Sequence, residues 1–176
     1  MKLTAIHINS ISTLCFLFIL AGLHGCQSSD RLTGVAAGAA GRYIVTAYIV
    51  SDDTLYSVRK GSAGYTPGIN KIGVTNFTVA LDVTDADQLT IQTDYWRNGL
   101  RSTVSKEVSV KLTNSDYQFY LLKTNASSAY EGRVGRFSGF FYERSEGGLL
   151  IPLVGSPGTP NPSSSKEVVI VAQSAK

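Results

Sequence analysis

From Tyr43 onward, apolar and polar residues alternate with a period of two, and β-branched and aromatic side chains fill most apolar positions. That periodicity predicts strands, because successive side chains on extended backbone point to opposite faces. The run Tyr43–Val50 reads as a strand largely buried on both faces, with Leu55–Val58 as a short partner. Phe77, Val79, Leu81 and Val83 alternate with Thr78, Ala80 and Asp82, the mark of a half-buried strand. Residues 88–97 and 100–112 repeat the pattern on either side of Asn98-Gly99. Asn-Gly supplies the two positive-φ residues of a type I′ turn, so these segments form a hairpin.

Further strands are expected at Tyr117–Lys123, Arg136–Glu143, Leu149–Val154 and Glu167–Ala172, with breakers at Asn125–Ser128, Gly132–Gly135 and Glu146–Gly148. No segment sustains the i, i+3, i+4, i+7 spacing of a capped amphipathic helix. About eight strands joined mostly by short turns predict an all-β antiparallel sandwich, with a small β-barrel as the alternative. Residues 155–165, rich in Pro and Ser, read as a loop or linker leading to the last strand, where Val168, Val169, Ile170 and Val171 form an apolar run. That run is expected as a core strand. The other reading is a tethered strand that pairs with another protein's sheet edge.

The N-terminus follows a different pattern. Met1-Lys2 is followed by an uncharged apolar stretch, Ile11–Leu23, and then by Gly25-Cys26. A positive start, a short apolar run and small residues before the cut read as a secretory signal. The run is too short to span a bilayer, which needs roughly 20 apolar residues. Leu23-His24-Gly25-Cys26 resembles the lipobox of bacterial lipoproteins. The resemblance implies that residues 1–25 are removed and that the Cys26 thiol is lipidated, so the membrane is a partner through Cys26. Gln27 is not the Asp that retains such proteins in the inner membrane, which by the same resemblance favours a lipid-anchored place in the outer membrane. Residues 26–42, with many small side chains and glycines at 34, 38 and 41, read as anchor and flexible tether, and residues 43–176 as one domain.

This processing strips the domain of chemistry. The chain's two Cys and two His are His7, Cys15, His24 and Cys26. After cleavage no imidazole and no free thiol remain for a nucleophilic triad, a disulfide or a Cys/His zinc site. Catalytic residues and cofactors are therefore not assigned. Asp82, Asp85 and Asp87 offer carboxylates in one short connection, a weak alternative as a calcium site without EF-hand spacing. Asp94 belongs to the polar face of its strand and is expected to be solvated. Losing Lys2 with the signal lowers the net charge from +3 to near +2, with both signs interspersed, so no basic stripe for nucleic acid is present.

Aromatic residues come in adjacent pairs, Tyr95-Trp96, Phe119-Tyr120 and Phe140-Phe141, whose members point to opposite faces on a regular strand. One member of each is expected in the core and the other outside, with Tyr95 and Trp96 as candidate contacts for a ligand or partner. The expectation is a lipid-anchored cell-envelope protein that acts through contacts with another envelope protein. In outline it resembles small lipoproteins that serve as accessory subunits of secretion or surface-fibre assemblies. The alternative is a surface-exposed carbohydrate-binding or adhesive module.

Overall fold

The computed structural model describes residues 33–62, 64–123, 129–146 and 166–175. The expected signal segment, Cys26 and the expected strand Leu149–Val154 with its Pro-rich loop lie outside the described residues. The chain forms α1 (Val35–Ala39) and ten strands. These are β1 (Gly41–Val50), β2 (Asp53–Gly61), β3 (Gly64–Asn70), β4 (Val74–Asp85), β5 (Gln88–Arg97), β6 (Leu100–Leu112), β7 (Asp116–Leu121), β8 (Tyr130–Gly135), β9 (Phe140–Glu146) and β10 (Glu167–Ser174).

All pairings are antiparallel, and neighbours from β4 to β10 follow chain order. The first part of β1 pairs with β4 and the later part with β2, while its other edge pairs with β10 from Tyr43 to Val50. The β10–β1 pairing closes β1 and β4–β10 into an eight-strand ring. The all-β antiparallel reading therefore stands, and the barrel replaces the sandwich. The reason lies in the C-terminal strand: by pairing on both sides it leaves the ring without an edge, whereas a sandwich keeps two sheets with edges to protect.

The hairpin of β2 and β3 branches off β1, and its Tyr65 hydroxyl donates to Gln173 Oε1 at 3.2 Å. No strand was expected from sequence at β3; as the outermost strand of its sheet it tolerates Pro67, a residue without an N–H.

Alternation aims one face of each strand inward. In β1 the buried set moves from Tyr43 and Val45 to Tyr48 and Val50, because a bulge between Val45 and Ala47 inserts one residue. Phe77 sits among Tyr48, Tyr56 and Tyr95, with ring centroids 5.7, 5.3 and 5.9 Å away. Phe141 meets Tyr43 and Phe119 further along the interior. Outward positions of β6 are polar throughout: Arg101, Thr103, Ser105, Glu107, Ser109 and Lys111. Along this strand the outward face is the opposite of the apolar outer band of a membrane-spanning barrel.

The two ends differ. At one end lie the β4–β5, β6–β7 and β8–β9 turns together with α1. Residues 33–42 are not a tether, as expected from sequence, but part of the domain. Ala36 and Ala39 are fully buried, Ala36 N–H donates to Ala86 O at 3.0 Å, and the Tyr43 hydroxyl donates to Ala39 O at 2.9 Å. The small side chains that suggested flexibility serve close approach instead. A Cβ added at Gly34 would lie 1.9 Å from Ala86 O, a backbone atom. The opposite end carries the β5–β6 turn, where Asn98 and Gly99 have φ of 51° and 77°, as the type I′ reading requires.

Two other boundaries move. The expected strand Arg136–Glu143 begins only at Phe140, because residues 136–138 turn and Gly139 has φ of 63°. The expected breaker Gly132–Gly135 lies instead within β8. Gly132 is required there because the Tyr130 ring folds back over it; an added Cβ would lie 2.5 Å from the Tyr130 hydroxyl.

Candidate functional site

The rim opposite α1 exposes the tip of the β5–β6 hairpin. Ten residue pairs, from Gln88↔Ser109 to Arg97↔Leu100, hold this hairpin in one unbroken register. Tyr95 turns inward against Phe77 and is buried, whereas Trp96 is 40% exposed on the outer face, directly opposite Arg101. Leu100, just past the turn, is 73% exposed. The outer face of the tip thus presents an indole and a guanidinium side by side, while Leu100, opposite Arg97, projects from the other face of the hairpin.

Arg101 is held from beneath. Its Nη2 donates to Asp94 Oδ2 at 3.1 Å, and the Thr103 hydroxyl donates to Asp94 Oδ1 at 2.5 Å. Asp94 lies on the outer face as expected, but it is only 6% exposed rather than solvated. Burial pushes its carboxyl up. Hydrogen bonds from Thr103 and Arg101, the Arg101 charge and a bond from Gln92 outweigh burial and hold it below the ordinary value of 3.8. A carboxylate with a depressed folded pKa stabilises the fold above its unfolded pKa, and this contribution is lost as pH falls through the folded value. Asp94→Asn is therefore expected to flatten the fall of Tm below about pH 4. A Tm-versus-pH series parallel to the parent's would show that Asp94 gains nothing from its partners.

A second polar group sits inside the barrel. Lys106 on β6 and Glu143 on β9 face inward, and Lys106 Nζ donates to Glu143 Oε1. Glu143 is 1% exposed. The Lys106 ammonium also lies 5.6 Å from the Tyr130 ring centroid. Burial first, and then the Glu143 charge, push the Tyr130 phenol far above its ordinary value, so it stays protonated. Glu143 Oε2 and the Tyr130 hydroxyl are buried with no hydrogen-bond partner among the described residues. Tyr130 also lines a cleft of about 500 Å³, where Phe119, Leu121 and Gly132 meet Tyr120 and Arg133. The cleft opens where β7 and β8 part, beyond the last pair Phe119↔Gly132.

Protein-family models and curated proteins were both compared with the chain. Neither comparison finds a match.

The sequence candidates are placed as follows. Trp96 is outside and Tyr95 inside, and the other pairs divide likewise, with Phe119 and Phe141 buried and Tyr120 and Phe140 exposed. The exposed aromatics do not gather into one platform across paired positions: Trp96 faces Arg101 and Thr75, Tyr120 faces Ser109, and Phe140 faces Gln173 and, on the barrel's other side, no β8 residue. Val168 and Ile170 are core residues, while Val169 and Val171 are half-buried on the outer face. The segment is thus an integral barrel strand, as expected, and the alternative of a tethered donor falls away because both its edges are paired within the barrel. Asp82, Asp85 and Asp87 are not brought together as a metal site: among the described residues no cluster of three ligating side chains occurs. Asp85 Oδ1 accepts from Ala86 N–H at 2.7 Å and so serves its own turn.

The inward positions of Lys106 and Glu143 and the exposure of Leu100 were missed in the sequence. For the first two a signal existed. In β6 the inward series Val104, Lys106, Val108, Val110 has one charged member, and in β9 Glu143 follows Phe141 at the same parity.

Proposed function

We propose that the protein is a lipid-anchored barrel of the cell envelope, in the outer membrane, that acts by contact with another envelope protein rather than by catalysis. The contact surface is the β5–β6 hairpin tip, with Trp96 as the apolar anchor and Arg101 beside it as the oriented charge on the outer face, and with Leu100 exposed on the hairpin's other face. The observation that carries this reading is the cross-strand pairing of an exposed indole with a braced guanidinium at the tip of a hairpin held in unbroken register. Tryptophan and arginine are the residue types enriched where binding energy concentrates. Fixing Arg101 beforehand lowers the entropy cost of ordering it in a complex. The Leu23-His24-Gly25-Cys26 motif supports the anchor.

The test is affinity capture of the full lipidated chain from crosslinked cells, comparing the parent with Trp96→Ala/Leu100→Ser. The expected result is a defined partner held by the parent and lost from the variant, while the melting curve is retained. Equal recovery of the same partner by both proteins would remove the hairpin tip from the interface. The carbohydrate-binding alternative loses support, because the tyrosine next to Trp96 is buried and not available to extend a sugar platform.

A further inference from the structure

The α1 end of the barrel carries its own exposed apolar group. Phe137, in the β8–β9 turn, is 84% exposed, more than any other large hydrophobic side chain among the described residues. Phe140, at the start of β9, is also exposed. The Arg136 guanidinium lies 5.3 Å from the Phe137 ring centroid. Arg42, near the start of β1, is exposed close by in the ring order, since β10 separates β9 from β1. Asp85 and Asp87 belong to the β4–β5 turn, half-way round the eight-strand ring from the β8–β9 turn. Asp116, which pairs with Gly135 beside Arg136, is the carboxylate nearest the aromatic side of this end among the described residues.

Chain length supplies the occupant. Only seven peptide units separate Cys26 from Thr33, which lies next to α1. Seven residues reach at most about 25 Å when fully extended. A lipidated Cys26 therefore keeps the α1 end close to the bilayer. An exposed phenylalanine with an arginine over its ring suits the boundary between acyl chains and phosphates, the ring entering the apolar side and the guanidinium meeting the headgroups.

We infer that the α1 end of the barrel rests on the membrane, with Phe137 inserted at the headgroup–acyl boundary and Arg136 at the lipid phosphates. The hairpin tip bearing Trp96 then faces away from the bilayer. This inference rests on the proposed lipid anchor at Cys26 and adds the orientation of the domain. It assigns the two ends separate tasks, the membrane at one and the protein partner at the other.

Tryptophan fluorescence tests it, because the chain contains a single tryptophan, Trp96. The full lipidated protein is reconstituted on phosphatidylethanolamine–phosphatidylglycerol vesicles containing brominated acyl chains. The parent is compared with the doubly substituted Trp96→Phe/Phe137→Trp chain. Both should float with the vesicles, and bromine should quench the probe at 137 several-fold more than Trp96. Flotation with equal quenching at both positions, or with stronger quenching of Trp96, overturns the orientation while leaving the anchor intact. A parent chain that fails to float removes the anchor and the orientation with it.

Discussion

Deletion of residues 166–176 is expected to abolish the cooperative melt of the barrel. β10 pairs with β1 on one side and β9 on the other, so its loss opens the ring and exposes two strand edges. Val168, Ile170 and Ala172 leave the core with it. Burying one large aliphatic side chain contributes about 1.5–3 kcal/mol. Losing two, together with the backbone pairings on both sides, is comparable to the whole net stability of a domain, about 5–15 kcal/mol. Circular dichroism of the truncated chain should show a broad transition or none. A truncated protein that melts as sharply and as late as the parent would show that the ring does not need β10, and would return the segment to the list of detachable interaction strands.

The second large effect is expected at the internal ion pair. Lys106→Met leaves the Glu143 carboxylate inside the barrel without its cation. Breaking a buried pair in this way typically costs about 3–5 kcal/mol, because the remaining charge is left uncompensated. Replacing both partners, Lys106→Met with Glu143→Leu, should recover most of the loss, since an apolar pair avoids desolvating either charge. Urea unfolding of the parent, both single variants and the double variant at neutral pH gives the coupling directly. Single variants within about 1 kcal/mol of the parent, with no coupling to the double variant, would mean that water reaches the pair and screens it.

Local rules made much of the barrel wall legible before the structure was known. Period-two alternation marked β4, β5 and β6, continuous apolar β-branched runs marked β1 and β10, and Asn98-Gly99 located the longest hairpin to the residue. Adjacent aromatics divided between core and surface because strand geometry leaves no other option. What stayed hidden was set by contacts distant in sequence. Gly132 looked like a breaker because only the folded position of Tyr130 shows why a side chain is excluded there. The glycines near α1 looked like a tether because their packing partners, Ala86 and Tyr117, lie far along the chain. The sandwich was preferred because alternation says which face is buried, not whether the first and last strands meet.

The candidate site was legible in part. Trp96 followed from its neighbour Tyr95 taking the inner face. The bracing of Arg101 by Asp94 depended on cross-strand register, which the Asn-Gly turn implied but the alternation alone did not exploit. Lys106 and Glu143 stand 37 positions apart, and only their shared inward parity connected them in advance.

The proposed function requires that this barrel be held to a membrane through Cys26. The most direct measurement is metabolic labelling of cells with a palmitate analogue, followed by membrane fractionation of the parent and of Cys26→Ala. Label and membrane association in the parent, both lost in Cys26→Ala, are the predicted result. Equal labelling of the two proteins, or an unlabelled parent recovered in the soluble fraction, would contradict the account.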